Sequence, residues 1–214
     1  MSTIPGVAQR VLFILLFSLL SAIRLFFKLR YKAINLKPVT KSEGRTAGIV
    51  RIVLGMPLLF ATYITCFAPD LVSWMHIPVS RIASILSFLA GILILTGLVL
   101  VHLHLGESFS TSIESTNRQR RLITTGPYRY VRHPMYSLYF ALFLSAFGVS
   151  GNLIVGLCGV GIIASMMIFR VPKEEQLLTT YHQNAYLDYA DSTPRYLPLV
   201  RVKHRSYEDG SLGR

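Results

Sequence analysis

The chain has 214 residues, 52% hydrophobic and 15% charged, with a mean hydropathy of +0.49. That is too apolar for an ordinary soluble domain, and the apolar segments lack the alternation that a β-barrel requires. The net charge of +12 follows the loops between apolar spans, so anionic lipid head groups, not nucleic acid, are its natural counterpart.

Five apolar stretches, at 7–27, 49–72, 82–105, 135–149 and 153–169, approach the ~20 residues needed to cross a bilayer. They predict an all-α, polytopic integral membrane protein of about five transmembrane helices followed by a C-terminal cytoplasmic helix. A single domain is expected over residues 1–214, with two N-terminal helices in 1–80 and a core in 81–200.

Only Arg10 stands ahead of the bulk of the first span, and the basic cluster follows it, the reverse of a signal peptide's order. Arg24 and Lys28, at its end, are expected to snorkel to the interface. Around the first loop lie Lys28, Arg30, Lys32, Lys37, Lys41, Arg45 and Arg51. The third loop carries Arg118, Arg120, Arg121, Arg129 and Arg132, and the tail carries Arg170, Lys173, Arg195, Arg201, Lys203, Arg205 and Arg214. The loops at 68–80 and 148–152 have no basic residue. The positive-inside rule therefore puts the N-terminus outside and the C-terminus in the cytoplasm.

Gly55, Pro57, Gly91 and Gly97 are expected to act as kink and close-packing positions in the second and third spans. Cys66 and Cys158 fall within apolar spans and are expected to be packing elements. His102 and His104 stand two apart on a helix, about 200° around its axis, and cannot share one ion. No metal site is expected.

The segment Leu122-Ile-Thr-Thr-Gly-Pro-Tyr-Arg-Tyr-Val-Arg-His-Pro-Met-Tyr136 is polar, basic and rich in tyrosine. Gly126-Pro127 predicts a turn, and the short fourth span is expected to begin inside His133-Pro134-Met135-Tyr136. Pro in the first helical turn and a basic pair at a membrane boundary would explain Arg132-His133-Pro134 without any ligand. Tyr128, Tyr130, Tyr136 and Tyr139 nevertheless crowd Arg129, Arg132 and His133. Aromatic faces attract an onium group and arginine forks grip a carboxylate, which suits a ligand bearing both charges.

Past the fifth span, Val171-Pro-Lys-Glu-Glu-Gln176 reads as a helix start, with Pro172 ending the transmembrane run. Adjacent helical residues diverge by about 100°. Only one of Glu174 and Glu175 is therefore expected to face a buried site, the other pairing with the basic loop.

The blocks Gly106-Glu-Ser-Phe-Ser110, Leu122–Tyr128, Arg132-His-Pro-Met-Tyr136, Glu174-Glu175 and Tyr186-x-x-Tyr189…Pro194-x-x-x-Pro198 occur in that order. Together they resemble the isoprenylcysteine carboxyl methyltransferase and phospholipid methyltransferase superfamily of membrane enzymes, over about residues 90–200. The resemblance implies S-adenosyl-L-methionine as cofactor and methyl transfer to a lipophilic, membrane-embedded acceptor, with membrane lipids or a lipidated substrate as partners. It implies that Leu122, Ile123 and Tyr128 line the adenosine side, that His133, Pro134, Met135 and Tyr136 form the turn around the cofactor, and that Glu174 and Glu175 complete the pocket. His133 or a glutamate would take a proton from an amine acceptor.

Two positions depart from the family. Leu138 replaces a frequent glycine and is expected to narrow the space near the cofactor or substrate. Where the isoprenylcysteine enzymes carry a basic residue for the substrate carboxylate, the chain aligns Ser192-Thr193-Pro194, with Arg195 the candidate substitute. Phospholipid N-methylation, an NADPH-dependent reductase of the sterol-reductase kind and a non-catalytic membrane scaffold remain alternatives.

Overall fold

The computed structural model describes residues 5–31, 45–106 and 122–198. Among the described residues seven α-helices follow in order: α1 (Val7–Arg30), α2 (Arg45–Phe67), α3 (Arg81–Leu105), α4 (Pro134–Ser150), α5 (Leu153–Phe169), α6 (Val171–His182) and α7 (Asn184–Ser192). Among the described residues, four helical stretches are long and apolar enough to cross a membrane. They are Val7–Arg30, Gly48–Phe67, Arg81–Leu105 and Leu153–His182, and the shorter α4 is equally apolar in character. This is a multi-pass helical membrane protein, and its many exposed leucines, isoleucines and phenylalanines are what hydrocarbon solvates.

The span boundaries follow local chemistry. The second span stops at Phe67, short of the expected 72, because Pro69 opens a 3₁₀ turn over Pro69–Met75. Ser80 caps α3 by accepting from the Ala83 amide at 3.2 Å. Pro134 occupies the first turn of α4, as expected, and Gly151 ends that helix in the left-handed region at φ 69°. Asn152 then caps α5, its Oδ1 accepting from the amides of Ile154 and Val155. Pro172 does not end the run: Arg170 stays helical and α6 continues directly from α5. Pro at a helix start lacks only an amide that would have no intrahelical partner.

α3 packs along α4, α2 along α5, and α4 against α5, while α1 covers α3 and α4. The core between them holds Phe13, Leu16, Leu58, Ala61, Leu98, Leu142 and Val155. Gly91 meets the close-packing expectation, since a β-carbon there would lie 2.7 Å from both Leu16 Cδ1 and Ser145 Oγ. Gly55 does not, having nothing within 4 Å. Leu138 packs against Gly97 of α3, 3.3 Å from where a β-carbon there would stand. Arg24 lies over the Tyr139 ring, 5.3 Å from its centroid, a contact that snorkelling alone did not anticipate.

At the end of the bundle away from α6 and α7, Asn152, Thr65 and His76 are buried together. Asn152 Nδ2 donates to Thr65 Oγ1 at 2.7 Å, and His76 Nε2 lies 3.4 Å from both. His102 is buried, stacked on Phe27 with its Nδ1 2.7 Å from the Leu98 carbonyl, while His104 is exposed. The two histidines therefore diverge as their spacing requires. Both cysteines are free thiols, Cys158 buried and Cys66 half-buried.

Candidate functional site

The site forms where the start of α4 meets α6 and the segment after α7. Gly126, at φ 61°, opens a 3₁₀ turn over Gly126–Arg129, and a β-carbon there would fall 2.1 Å from the His104 ring. Only glycine lets this turn press against the end of α3. Leu122, Ile123 and Tyr128, all half-buried, are carried beside it. The Tyr128 carbonyl accepts from the Tyr189 hydroxyl at 2.6 Å, which ties the turn to α7.

From Arg132 onward the backbone pairs with the C-terminal segment. The Arg132 amide donates to the Pro194 carbonyl and the His133 amide to the Arg195 carbonyl, both at 2.9 Å. The Arg132 guanidinium donates to the carbonyls of Ala190 and Thr193, closing the end of α7. Ser137 Oγ donates to the Tyr196 carbonyl at 2.8 Å, and the Tyr196 hydroxyl donates to the Met167 carbonyl at 3.2 Å. Residues 193–196 thus form a strap across the start of α4 and the end of α5.

Under this strap lies one continuous charge cluster. Glu175 is buried, and its carboxylate accepts from Arg132 Nε at 3.2 Å, His133 Nε2 at 3.1 Å and Arg195 Nε at 2.9 Å. Glu174 accepts from Arg170 Nε at 2.6 Å and from the Tyr136 hydroxyl at 3.1 Å. His133 Nδ1 lies 4.0 Å from Glu174 Oε2, so the imidazole sits between both carboxylates. The expectation that only one glutamate faces the site is therefore corrected, because side-chain length overcomes the angular offset, while the expected pairing with the basic loop is met by Glu175 and Arg132. Arg170 is buried at the end of α5 beside Tyr136.

Most sequence-derived candidates meet here. His133, Tyr136, Glu174, Glu175 and Arg195 are in mutual contact or share a partner. Pro134 is buried as the first residue of α4, and Met135 packs on the apolar core. Ser192 donates to the Tyr189 carbonyl and stays exposed, and the half-exposed Arg195 side chain is committed to Glu175. Glu107–Ser110, the basic residues Lys32, Lys37, Lys41, Arg118, Arg120 and Arg121, and the tail from Arg201 lie outside the described residues.

The sequence did not single out Arg170 and Tyr196 and gave Tyr189 no role beyond its block, while Arg132, read as a grip for a ligand, is bound to Glu175 and to the carbonyls that end α7. A lone arginine at the last position of an apolar span was the available signal for Arg170. Tyr189 and Tyr196 act through backbone carbonyls, which no residue pattern reports.

Residues 84–180 match the sequence model of the isoprenylcysteine carboxyl methyltransferase family. That stretch, a little under half of the chain, is similar to the isoprenylcysteine carboxyl methyltransferase family. It is 31% identical over 96 residues to a protein-S-isoprenylcysteine O-methyltransferase of Schizosaccharomyces pombe, covering 44% of this chain and 41% of that protein. The chain therefore spans less than half the length of this curated relative. Its fold is similar to that of the eukaryotic intramembrane Ras methyltransferase of the same family, with a TM-score of 0.50 and 22% identity over 89% of this chain and 68% of the other. Helices α1 and α2 fall before the stretch that matches the family.

Proposed function

We propose that the chain transfers a methyl group from S-adenosylmethionine to a lipophilic acceptor that reaches the site from the bilayer. The observation that carries this is the meeting of His133 with both Glu174 and Glu175 at one end of the helices. By the positive-inside rule that end is cytoplasmic, where a soluble cofactor is available and a membrane-anchored acceptor arrives sideways.

The donor set suits such a cofactor. Carboxylates for hydroxyl and ammonium groups, guanidiniums for a carboxylate, and the rings of Tyr128, Tyr136 and Tyr196 for an adenine or a sulfonium lie within one cluster. Leu122, Ile123 and Tyr128 would hold the adenosine side, and His133 to Tyr136 with Glu174 and Glu175 would hold the remainder. When bound, the cofactor supplies an electrophilic methyl group, so in-line placement of the acceptor accounts for most of the rate.

The protein's own residues then position and shield. Arg132 and Arg195 fix the Glu175 carboxylate, which orients His133 through Nε2. This makes Arg195 a positioning residue, while His133 is the group that would accept a proton from an amine acceptor. The 193–196 strap lies across the start of α4, and water excluded beneath it would strengthen the charge interactions there.

The fission-yeast relative is named for O-methylation at S-isoprenylcysteine, and the same chemistry here makes the acceptor a carboxyl group. Incubation of membranes containing the protein with methyl-labelled cofactor tests this. Label released by mild base, as expected of a carboxyl ester, supports it. Base-stable label points to an amine acceptor, and the absence of any transferred label contradicts the function.

A further inference from the structure

Helix α1 lies outside the family-matching stretch and carries a cation that no residue of the helix neutralises, since Val7–Arg30 holds no aspartate or glutamate. Arg24 stands six residues before the end of this helix, about 9 Å along its axis. That depth is inside the apolar span, where an ionised side chain is costly and calls for a partner. The Arg24 guanidinium lies 5.3 Å from the centroid of the Tyr139 ring, which is buried on α4. A ring face attracts a cation without neutralising it.

Lys28 follows Arg24 by one turn on the same side of the helix. Both are exposed, as are the apolar side chains of Leu25, Phe26 and Leu29 around them. Among the described residues neither cation is paired with a carboxylate. Tyr139 lies less than two turns along α4 from His133, so Arg24 sits at the end of the bundle that holds the candidate site. By the positive-inside rule this is the cytoplasmic end, whose leaflet is rich in anionic lipid. A cation that only marked the boundary belongs in the last turn of the helix, where Lys28 and Arg30 stand and the dipole favours them. Arg24 is a turn deeper and is held there by Tyr139.

We propose that Arg24 and Lys28, with Tyr139 as the floor, form a binding site for the headgroup of one anionic phospholipid at the seam of α1 and α4. The arginine fork takes the phosphate, whose oxygens match it in geometry. Lys28 adds a second positive charge, so a headgroup with its own ammonium is repelled and an anionic one is favoured. The bound lipid would then touch the helix that also carries His133 and Tyr136. The site stands independently of the methyl-transfer function.

The test titrates the full chain in detergent with phosphatidylglycerol and, separately, phosphatidylcholine, and counts bound lipids by native mass spectrometry. The wild type should bind its first phosphatidylglycerol about tenfold tighter than phosphatidylcholine, the scale of one hydrogen-bonding contact between charged groups. Arg24→Gln should erase that preference and Arg24→Lys should keep part of it. Lys28→Gln, which leaves Arg24 on Tyr139, should weaken phosphatidylglycerol binding by about fivefold, the scale of one basic residue at an anionic surface. Arg30→Gln removes a guanidinium that lies over Tyr31 instead and should leave the preference unchanged. A wild type indifferent to the two lipids overturns the proposal, as does preference intact in both Arg24→Gln and Lys28→Gln. An equal loss in Arg30→Gln also overturns it, by reducing the effect to diffuse charge. Displacement of the lipid by inorganic phosphate at matched ionic strength, or by an N-acetylated S-prenyl cysteine, would assign the cations to a soluble anion or to the methyl acceptor and overturn it as well.

Discussion

Nε2 of His133 and Oε1 of Glu175 lie 3.1 Å apart, and this contact joins the two polar stretches that flank the whole α4–α5 hairpin. It brings the start of α4 and the start of α6 together, so that both could act on one ligand. Arg132 and Arg195 complete the same carboxylate, so the contact is one part of a network that also fixes the C-terminal strap.

Removing the charge of Glu175 should destabilise the fold. Glu175→Gln leaves the largely buried Arg132 guanidinium without its counter-charge, and loss of one partner of such a pair costs about 3 kcal/mol. Thermal unfolding in detergent checks this. A melting temperature equal to wild type would show that the network contributes nothing to stability.

His133→Ala and Tyr136→Phe should weaken cofactor binding while the protein still inserts and folds. The first removes the group between both carboxylates, and the second removes the hydroxyl that orients Glu174 but keeps the buried ring. Each should lower S-adenosylhomocysteine affinity by about tenfold, the scale of one hydrogen bond to a charged group. Titration calorimetry reads the effect, and size-exclusion profiles confirm that the fold is kept.

Alkaline pH should loosen α7. Burial pushes the phenols of Tyr128, Tyr186 and Tyr189 above their usual range, Tyr189 to about 12. A raised folded value means that the stabilisation is complete below the unfolded value of about 10 and is lost as pH climbs toward 12. Phenolate absorbance should therefore develop late for these residues. Tyr189→Phe should shrink the late phase and, by deleting the 2.6 Å bond to the Tyr128 carbonyl, lower stability near neutrality.

Gly126→Ala should cost about 1 kcal/mol for a side chain in the left-handed region, before any overlap with His104 is counted. Because the same turn carries Leu122, Ile123 and Tyr128 to the site, S-adenosylhomocysteine affinity should fall along with stability. His104→Ala in the same chain should relieve the overlap and recover part of both.

The helices were legible because continuous apolar stretches of sufficient length have few folded alternatives in a bilayer, and Pro134, Gly151 and Asn152 mark the ends of α4 and the start of α5. The end of α2 was misjudged because Leu71 and Val72 look apolar enough to extend it, although Pro69 ends the α-helical run. At the site, residue types and order were readable, and so was the meeting of the turn with the acidic pair. Partner choice was not, because glutamate and arginine side chains span several ångströms and can defeat the angular rule for a helix, as Glu174 does.

The central claim is that the turn at His133 and the carboxylates of Glu174 and Glu175 enclose a sulfonium-bearing cofactor. Titrating the detergent-solubilised protein with S-adenosylhomocysteine and, separately, with NADPH tests it most directly. Saturable binding of S-adenosylhomocysteine that is weakened in His133→Ala, with no binding of NADPH, is the predicted result. Binding of NADPH alone would contradict the account, as would S-adenosylhomocysteine affinity unchanged in both His133→Ala and Tyr136→Phe.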